Sequence, residues 1–171
     1  MTASRPSAVI GDIPARAAHY IDHGGEDWHR FVGPRGCALV GPPGSGKSQI
    51  AADYARRWAQ QRGDVAWIDA TTRDGILAGL VRMAGYLDVV VVDPVTTAGR
   101  VRDTLHTSER PTLLVFDDAT NAEIIDPFLP YEGGGVSVLY TTTRRHFVQQ
   151  SGIADHAVPV HGFNDEDSLR Y

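Results

Sequence analysis

The eight residues from Gly41 to Ser48 constrain the fold more than any other feature of the sequence. They read GPPGSGKS and fit the pattern G-x-x-x-x-G-K-[ST] at each fixed position. Glycines let a backbone wind closely around a polyphosphate, so that successive N–H groups converge on its oxygens. An apolar run, Cys37–Val40, precedes the loop, and an amphipathic stretch, Gln49–Arg62, follows it. We therefore expect a strand, a phosphate-binding loop and a helix whose positive dipole end faces the anion.

The residue types in this loop match the chemistry of polyphosphate binding. Lys47 can reach the β- and γ-phosphates as a point charge, and the hydroxyl of Ser48 can ligate Mg²⁺. The sequence therefore predicts a nucleotide site. Its predicted binding residues are Gly41, Pro42, Pro43, Gly44, Ser45, Gly46, Lys47, Ser48 and Gln49.

Strand-like and helix-like patterns alternate along the rest of the chain. After Cys37–Val40, the predicted strands are Val65–Asp69, Thr112–Asp117, Val136–Thr142 and Ala157–His161. The predicted helices are Ala15–Asp22, Gln49–Arg62, Asp74–Leu87, a helix ending in Val101–His106, and Asn121–Phe128. The strands are short apolar runs without polar alternation, which is typical of a parallel sheet buried on both faces. We predict a three-layer α/β/α domain of the P-loop type with a five-stranded parallel sheet.

Size and composition exclude several classes of protein. A chain of 171 residues buries roughly 70% of its unfolded surface, so its core needs no disulfide or metal to stabilise it. The single cysteine, Cys37, excludes an internal disulfide and a cysteine-rich zinc site. The apolar runs are far too short to span a membrane, and the N-terminus lacks the apolar core of a secretory signal. The net charge of −5 argues against direct nucleic-acid binding. We expect a soluble, cytoplasmic protein without membrane contact.

A phosphate loop needs a carboxylate at the end of a neighbouring strand to hold magnesium. Two apolar runs end in aspartate, Val89–Asp93 and Leu113–Asp117. We prefer the second because it continues into Asp118, so that one carboxylate can serve the metal and the next can position water. Pro94 follows the first run directly, and we interpret Val89–Val92 as a helix end or a loop packed on the core.

The last long strand ends in hydroxyl groups and two arginines. Thr141, Thr142 and Thr143 precede Arg144 and Arg145. Ligands of doubly wound sheets sit beyond the carboxyl ends of the strands, so these polar groups are expected to face the γ-phosphate. An arginine there could detect the γ-phosphate through charge-assisted hydrogen bonds. The alternative is a solvated basic pair that leaves the strand.

Taken in order, the segments GPPGSGKSQIAADYA, VAWIDA, LLVFDD, VLYTTTRR and VPVHGFNDEDSLRY resemble a known family. They are similar to the nucleotide-binding subdomain of STAND-class P-loop NTPases of the NB-ARC type, over residues 37–171. The resemblance implies that Lys47 and Ser48 contact phosphate and Mg²⁺. It also implies that Asp117 holds the metal, that Asp118 is the catalytic base and that Arg144 is the γ-phosphate sensor. The implied order of the five strands is 5-1-4-3-2.

The resemblance also implies a division of the chain. Residues 1–32 are expected to flank the nucleotide site, and residues 33–171 to form the P-loop core. The Gly-Arg pair that frames adenine in the family is missing, which leaves Ile13, Pro14 and Phe31–Gly33 as candidates for base contacts. The helical and winged-helix subdomains that follow in the family are absent. We therefore expect a fragment of a larger protein, with the other domains and further copies of itself as partners.

The predicted function is an ATP- and ADP-binding switch with slow, Mg²⁺-dependent hydrolysis. Adenine is favoured because the guanine-reading motif N-K-x-D is missing. One alternative is an AAA+-type ATPase, which shares the loop and the acidic strand. The others are a P-loop kinase acting on a small molecule and an interaction module that keeps the fold without turnover. A histidine metal site is disfavoured because His19 and His23 have no convincing third ligand.

Overall fold

A computed structural model describes residues 6–18, 32–33, 36–61, 63–130 and 134–161. Six strands and four α-helices follow one another along these residues. The strands are β1 (Val9–Ile10), β2 (Cys37–Val40), β3 (Asp64–Asp69), β4 (Thr112–Asp117), β5 (Val136–Thr142) and β6 (Ala157–Pro159). The helices are α1 (Lys47–Gln61), α2 (Arg73–Ala84), α3 (Pro94–Thr107) and α4 (Arg145–Gln150). None of the helices in the described ranges is long and apolar enough to cross a membrane.

All six strands run parallel in one sheet, in the order β1-β3-β4-β5-β2-β6. Read from β6, the five predicted strands stand in the predicted order 5-1-4-3-2. The sixth strand, β1, extends the sheet beyond β3 and was not predicted. The three-layer fold of parallel strands and helices is therefore confirmed, with one more strand at its edge.

Helices cover both faces of the sheet because successive strand residues point to opposite sides. On one face, Leu113 and Val115 pack with α1 through residues such as Trp58. On the other face, Leu114 and Phe116 pack with α2, α3 and α4. The central strands are buried on both faces, which explains their continuous apolar sequences.

Several predicted element boundaries were wrong. The helix predicted over Asp74–Leu87 ends at Ala84, where Gly85 caps it. Helix α3 begins at Pro94, with the Asp93 side chain accepting a hydrogen bond from the Thr96 amide. The preceding run Val89–Val92, which we interpreted as a helix end or a loop packed on the core, is a loop in which three of the four valines are exposed and only Val89 packs on the core.

The remaining differences concern weak helices and strand ends. The predicted helix Asn121–Phe128 is two short 3₁₀ turns, Ala122–Ile124 and Asp126–Phe128. The last strand stops at Pro159 and does not reach His161. Of the helix predicted at Ala15–Asp22, the described residues 15–18 are not helical, and the others lie outside the described residues.

Candidate nucleotide-binding site

The phosphate loop follows β2 at the carboxyl edge of the sheet and leads directly into α1. Gly44 and Gly46 have φ angles of +76° and +90°, which favour glycine over residues with a side chain. Gly41 is required for a different reason. A Cβ atom there would lie 2.2 Å from the carbonyl oxygen of Val160, which follows β6. The loop is thus wound tightly and pressed against the neighbouring strand.

Lys47 is the only lysine in the chain, and it is buried at the start of α1. Its Nζ donates a hydrogen bond of 2.8 Å to the carbonyl oxygen of Pro42 and lies 3.5 Å from Oγ of Ser45. The ammonium group therefore lies against the phosphate loop, between the Pro42 carbonyl and the Ser45 hydroxyl. An incoming phosphate oxygen can replace the carbonyl as its acceptor.

Asp117, at the end of β4, lies against the first turn of α1. The hydroxyl of Ser48 donates a hydrogen bond of 2.8 Å to Asp117 Oδ1. The structure therefore brings together the two residues predicted to hold a metal. Asp93, the rejected alternative, caps α3, and its hydrogen bonds with Thr96 lower the pKa of its carboxyl.

Asp118 is exposed and adopts a left-handed backbone conformation with φ of +58°. Only one other non-glycine residue in the described ranges, Asp88, shares this feature. The amide of Asp118 donates to the hydroxyl of Thr141 at 2.9 Å. Asp118 thus begins a turn at the carboxyl end of β4 that is fixed from the neighbouring strand β5.

The hydroxyl groups at the end of β5 do not lie where the sequence analysis put them. Thr141 and Thr142 are fully buried and bind the turn that follows β4, whereas we expected them to face a γ-phosphate. Thr143 and Arg144 are exposed, and Arg144 immediately precedes α4. The hydroxyl groups at the strand end are visible in the sequence, but the bond from Thr141 to Asp117 depends on the strand order.

Gln49, predicted to bind nucleotide, contacts the N-terminal segment. Its side-chain amide donates to the carbonyl of Ala15 and accepts from the amide of Ala17, both at 3.0 Å. The carbonyl of Pro14 accepts a hydrogen bond from Arg56, also on α1. The segment therefore runs along α1 towards the phosphate loop.

The other residues considered for base contacts lie elsewhere. Ile13 packs with the apolar cluster on the α1 face. Gly33 pairs with Val138 near the edge where the strands begin, which argues against a base contact there. Phe31 lies outside the described residues.

A cavity of about 530 Å³ opens beside the loop. It lies between the loop, helix α4 and the end of β6. Its lining is mostly apolar, from residues such as Pro42, Val148 and Val160, with Arg145 and His161 at polar positions. Apolar walls with a few polar groups are typical of ligand-binding pockets.

Comparison with known protein families matches residues 36–131, more than half of the chain, to the AAA domain (dynein-related subfamily). The chain belongs to this family. Domains of this family bind nucleotide, usually with Mg²⁺, and often oligomerise. The family match supports the AAA-type alternative better than the NB-ARC reading, which it does not confirm. No curated protein matches the sequence.

The AAA domain is also similar in structure to Cdc6p from Pyrobaculum aerophilum. The two share 12% sequence identity with a TM-score of 0.55, over 79% of this chain. The match takes in 41% of the Cdc6p chain. At this identity the likeness shows a common fold.

Proposed function

We propose that this AAA domain binds ATP and ADP with Mg²⁺ at residues Gly41–Gln49 and hydrolyses ATP slowly. The contact between the Ser48 hydroxyl and Asp117 is the observation that carries the proposal. Two oxygen ligands beside a glycine-rich loop suit Mg²⁺, which binds one or two protein oxygens together with substrate phosphates. When bound, Mg²⁺ neutralises charge on the phosphates.

The residues of the chain have distinct roles in this proposal. Lys47 transfers its hydrogen bond from the Pro42 carbonyl to phosphate oxygens. Asp118 orients the attacking water, since its carboxylate is exposed next to Asp117. Arg144, exposed beyond β5, donates to the γ-phosphate. The base occupies the cavity beside Pro42 and Val160.

We further infer that the domain is a switch of the STAND kind, in which ATP holds an assembly-competent state and ADP a resting one. The specific observation in favour is the pair Asp117-Asp118 together with the Thr-Thr-Arg strand end, on which the NB-ARC resemblance rests. In this reading the partners are other domains and further copies of the chain. A switch turns over slowly in isolation, whereas a motor-type ATPase is accelerated when it assembles.

Calorimetric titration of the 171-residue chain with ADP and a non-hydrolysable ATP analogue, with and without Mg²⁺, tests nucleotide binding. We expect micromolar dissociation constants, lowered by Mg²⁺. Lys47→Ala should abolish binding, because it removes the buried ammonium group over the loop. Arg82→Ala, which removes one positive charge from an exposed ion pair with Asp12, is the matched control and should bind normally.

Chemical labelling gives a second measurement of the same site. Because Lys47 is the only lysine, an amine reagent can modify only its Nζ and the chain's N-terminus. Nucleotide should protect Lys47 and leave the N-terminus reactive. Binding that survives Lys47→Ala, or labelling of Lys47 that nucleotide does not slow, would contradict the proposal.

A further inference from the structure

Two threonines at the end of β5 are buried without any exposed surface. Thr141 and Thr142 both have a relative exposure of 0%. Burying a hydroxyl group is unfavourable unless it is hydrogen-bonded. Both hydroxyls are used twice, as donor and as acceptor, and all four bonds involve the loop regions that carry the predicted catalytic residues.

Thr141 connects its own strand to both aspartates. Its Oγ1 donates to Asp117 Oδ1 at 2.6 Å and accepts from the Asp118 amide at 2.9 Å. Its carbonyl oxygen accepts from the amide of Ala119 at 2.8 Å. A hydroxyl carries a single proton, so donation to the carboxylate leaves a lone pair for the amide. Three consecutive residues are therefore fixed by one threonine.

The conformation of Asp118 shows what this arrangement achieves. A φ of +58° is uncommon for a residue with a side chain and persists where the surroundings over-determine it. The bonds from the amides of Asp118 and Ala119 to Thr141 supply that constraint. Asp118 is exposed at this left-handed turn, while Asp117 remains against Ser48.

Thr142 makes the corresponding link to the arginine. Its hydroxyl donates to the carbonyl of Ala119 at 2.6 Å and accepts from the amide of Arg144 at 3.0 Å. The turn after β4 and the backbone that carries Arg144 are thus joined through one buried hydroxyl group.

We propose that Thr141 and Thr142 are positioning residues, a threonine clamp that holds Asp117, Asp118 and Arg144 in one fixed arrangement. The inference rests on the proposed function, because it concerns how those residues act on ATP and Mg²⁺. Thr141 sets the direction of the Asp117 carboxylate and the left-handed turn at Asp118. Thr142 ties the position of Arg144 to that turn.

Thr141→Val and Thr141→Ser separate the hydroxyl group from the shape of the side chain. Thr141→Val should lower two quantities by about 10-fold or more: kcat, and the gain in ATP affinity that Mg²⁺ provides. An effect of this size is expected when a metal ligand loses the hydrogen-bond partner that orients it. Affinity for ADP without Mg²⁺ should stay unchanged, because the phosphate loop is intact. Thr141→Ser keeps the hydroxyl and should restore both quantities. Thr104→Val, on α3, is the control for the exchange of threonine for valine.

Amide hydrogen exchange tests the clamp without any nucleotide. The Asp118 amide should exchange faster in Thr141→Val than in the unmodified chain or in Thr141→Ser. This measurement keeps the two proposals apart. If the unmodified chain binds no nucleotide, the proposed function fails, and the exchange rates still decide whether Thr141 fixes the turn. The clamp would be overturned if the Asp118 amide exchanged equally fast in all variants. It would also be overturned if Thr141→Ser lost as much Mg²⁺-dependent ATP affinity and kcat as Thr141→Val.

Thr142 provides an independent variant should Thr141→Val fail to fold. Thr142→Val should reduce the preference for ATP over ADP, since it releases the backbone of Arg144, and Thr142→Ser should preserve it. An unchanged preference in Thr142→Val would overturn the link to Arg144.

Discussion

Cys37 is the first residue of β2 and pairs with Leu139 of β5. The residue has no exposed surface, and burial raises the pKa of its thiol to about 12. A thiol in this state is a packing group, because the thiolate is the reactive species. The side chain therefore contributes apolar contacts to the α1 face of the sheet.

We expect the Cys37 thiol to react with a disulfide reagent only after unfolding. Below pH 9.0, the ordinary pKa of a cysteine thiol, labelling of the folded chain should be at least about 1000-fold slower than labelling in urea. The reason is that only the small unfolded population reacts. Between pH 9 and 12 the unfolded thiol ionises and the folded one does not, so stability should fall as pH rises. Cys37→Ala should lack that part of the decline in urea unfolding. Fast labelling of the folded chain would contradict the burial.

At the scale of single residues, the sequence identified Ser48 and Asp117, which the structure brings into contact, and missed the residue that supports Asp117. The spacing of the loop motif identifies Lys47 and Ser48, and the acidic pair after β4 identifies Asp117. The role of Thr141 could not be predicted in the same way. Its bond to Asp117 joins residues 24 positions apart and exists only because β4 and β5 are neighbours in the sheet.

The N-terminal segment is the element that differs most from expectation. Its strand β1 has two residues, too few for any pattern to predict, and it exists through contacts with the rest of the chain. The amide of Ala8 donates to the buried carboxylate of Asp64 at 2.7 Å. Arg110 completes the site, donating to both oxygens of Asp64 and to the carbonyl of Pro6.

We predict that Arg110→Ala destabilises the chain by roughly 3 kcal/mol, because it leaves the buried Asp64 carboxylate without its guanidinium partner. The bond to Pro6 is lost as well, so cleavage of the N-terminal segment by a protease should become faster. Urea unfolding and limited proteolysis measure the two effects. Arg100→Ala, whose side chain has one long bond to the carbonyl of Val90, is the control and should change stability little. Equal stability of the two variants would refute the role of the ion pair.

Helix α3 shows why its start was missed. The signals were present, since Asp93 is a favoured cap and Pro94 a favoured first residue. The four valines before these two residues were interpreted as the end of a helix or as a loop, so no helix start was predicted at Asp93. Local patterns identified α1 by the helical spacing of its apolar residues, and they identified the central strands by their continuous burial.

At the scale of the whole molecule, four of the six exposed large apolar side chains among the described residues lie in one short segment. Val90, Val91 and Val92 have relative exposures of 69%, 55% and 48%, and Val95 follows them on α3. This loop is bonded to α3, where the Val92 amide donates to the Thr97 hydroxyl. A contiguous group of exposed apolar side chains favours association between chains.

We expect Val91→Lys to reduce concentration-dependent self-association of the chain. The change adds a charge to an exposed position, so the midpoint of thermal unfolding should stay nearly the same. Light scattering against protein concentration, with the unmodified chain alongside, measures the effect. Undiminished scattering by the variant would show that the valines do not drive association.

The strand order is the part of the whole fold that the sequence predicted best, since the resemblance supplied it and the apolar runs located the strands. The prediction left out β1 because that strand depends on the hydrogen bond from the Ala8 amide to Asp64 and on the close approach of Gly11 to the backbone of Trp67. Such tertiary contacts leave no local pattern.

The glycines of the phosphate loop will not respond alike in a mutational survey. At Gly41 any side chain would collide with the carbonyl of Val160, so a substitution displaces β6 whether or not the loop ever holds a nucleotide. Gly44 faces open space and is constrained by its dihedral angle alone. A selection for folded protein alone should therefore eliminate variants at Gly41. Variants at Gly44 should be eliminated only by a selection for activity. The same motif thus carries two separate evolutionary constraints.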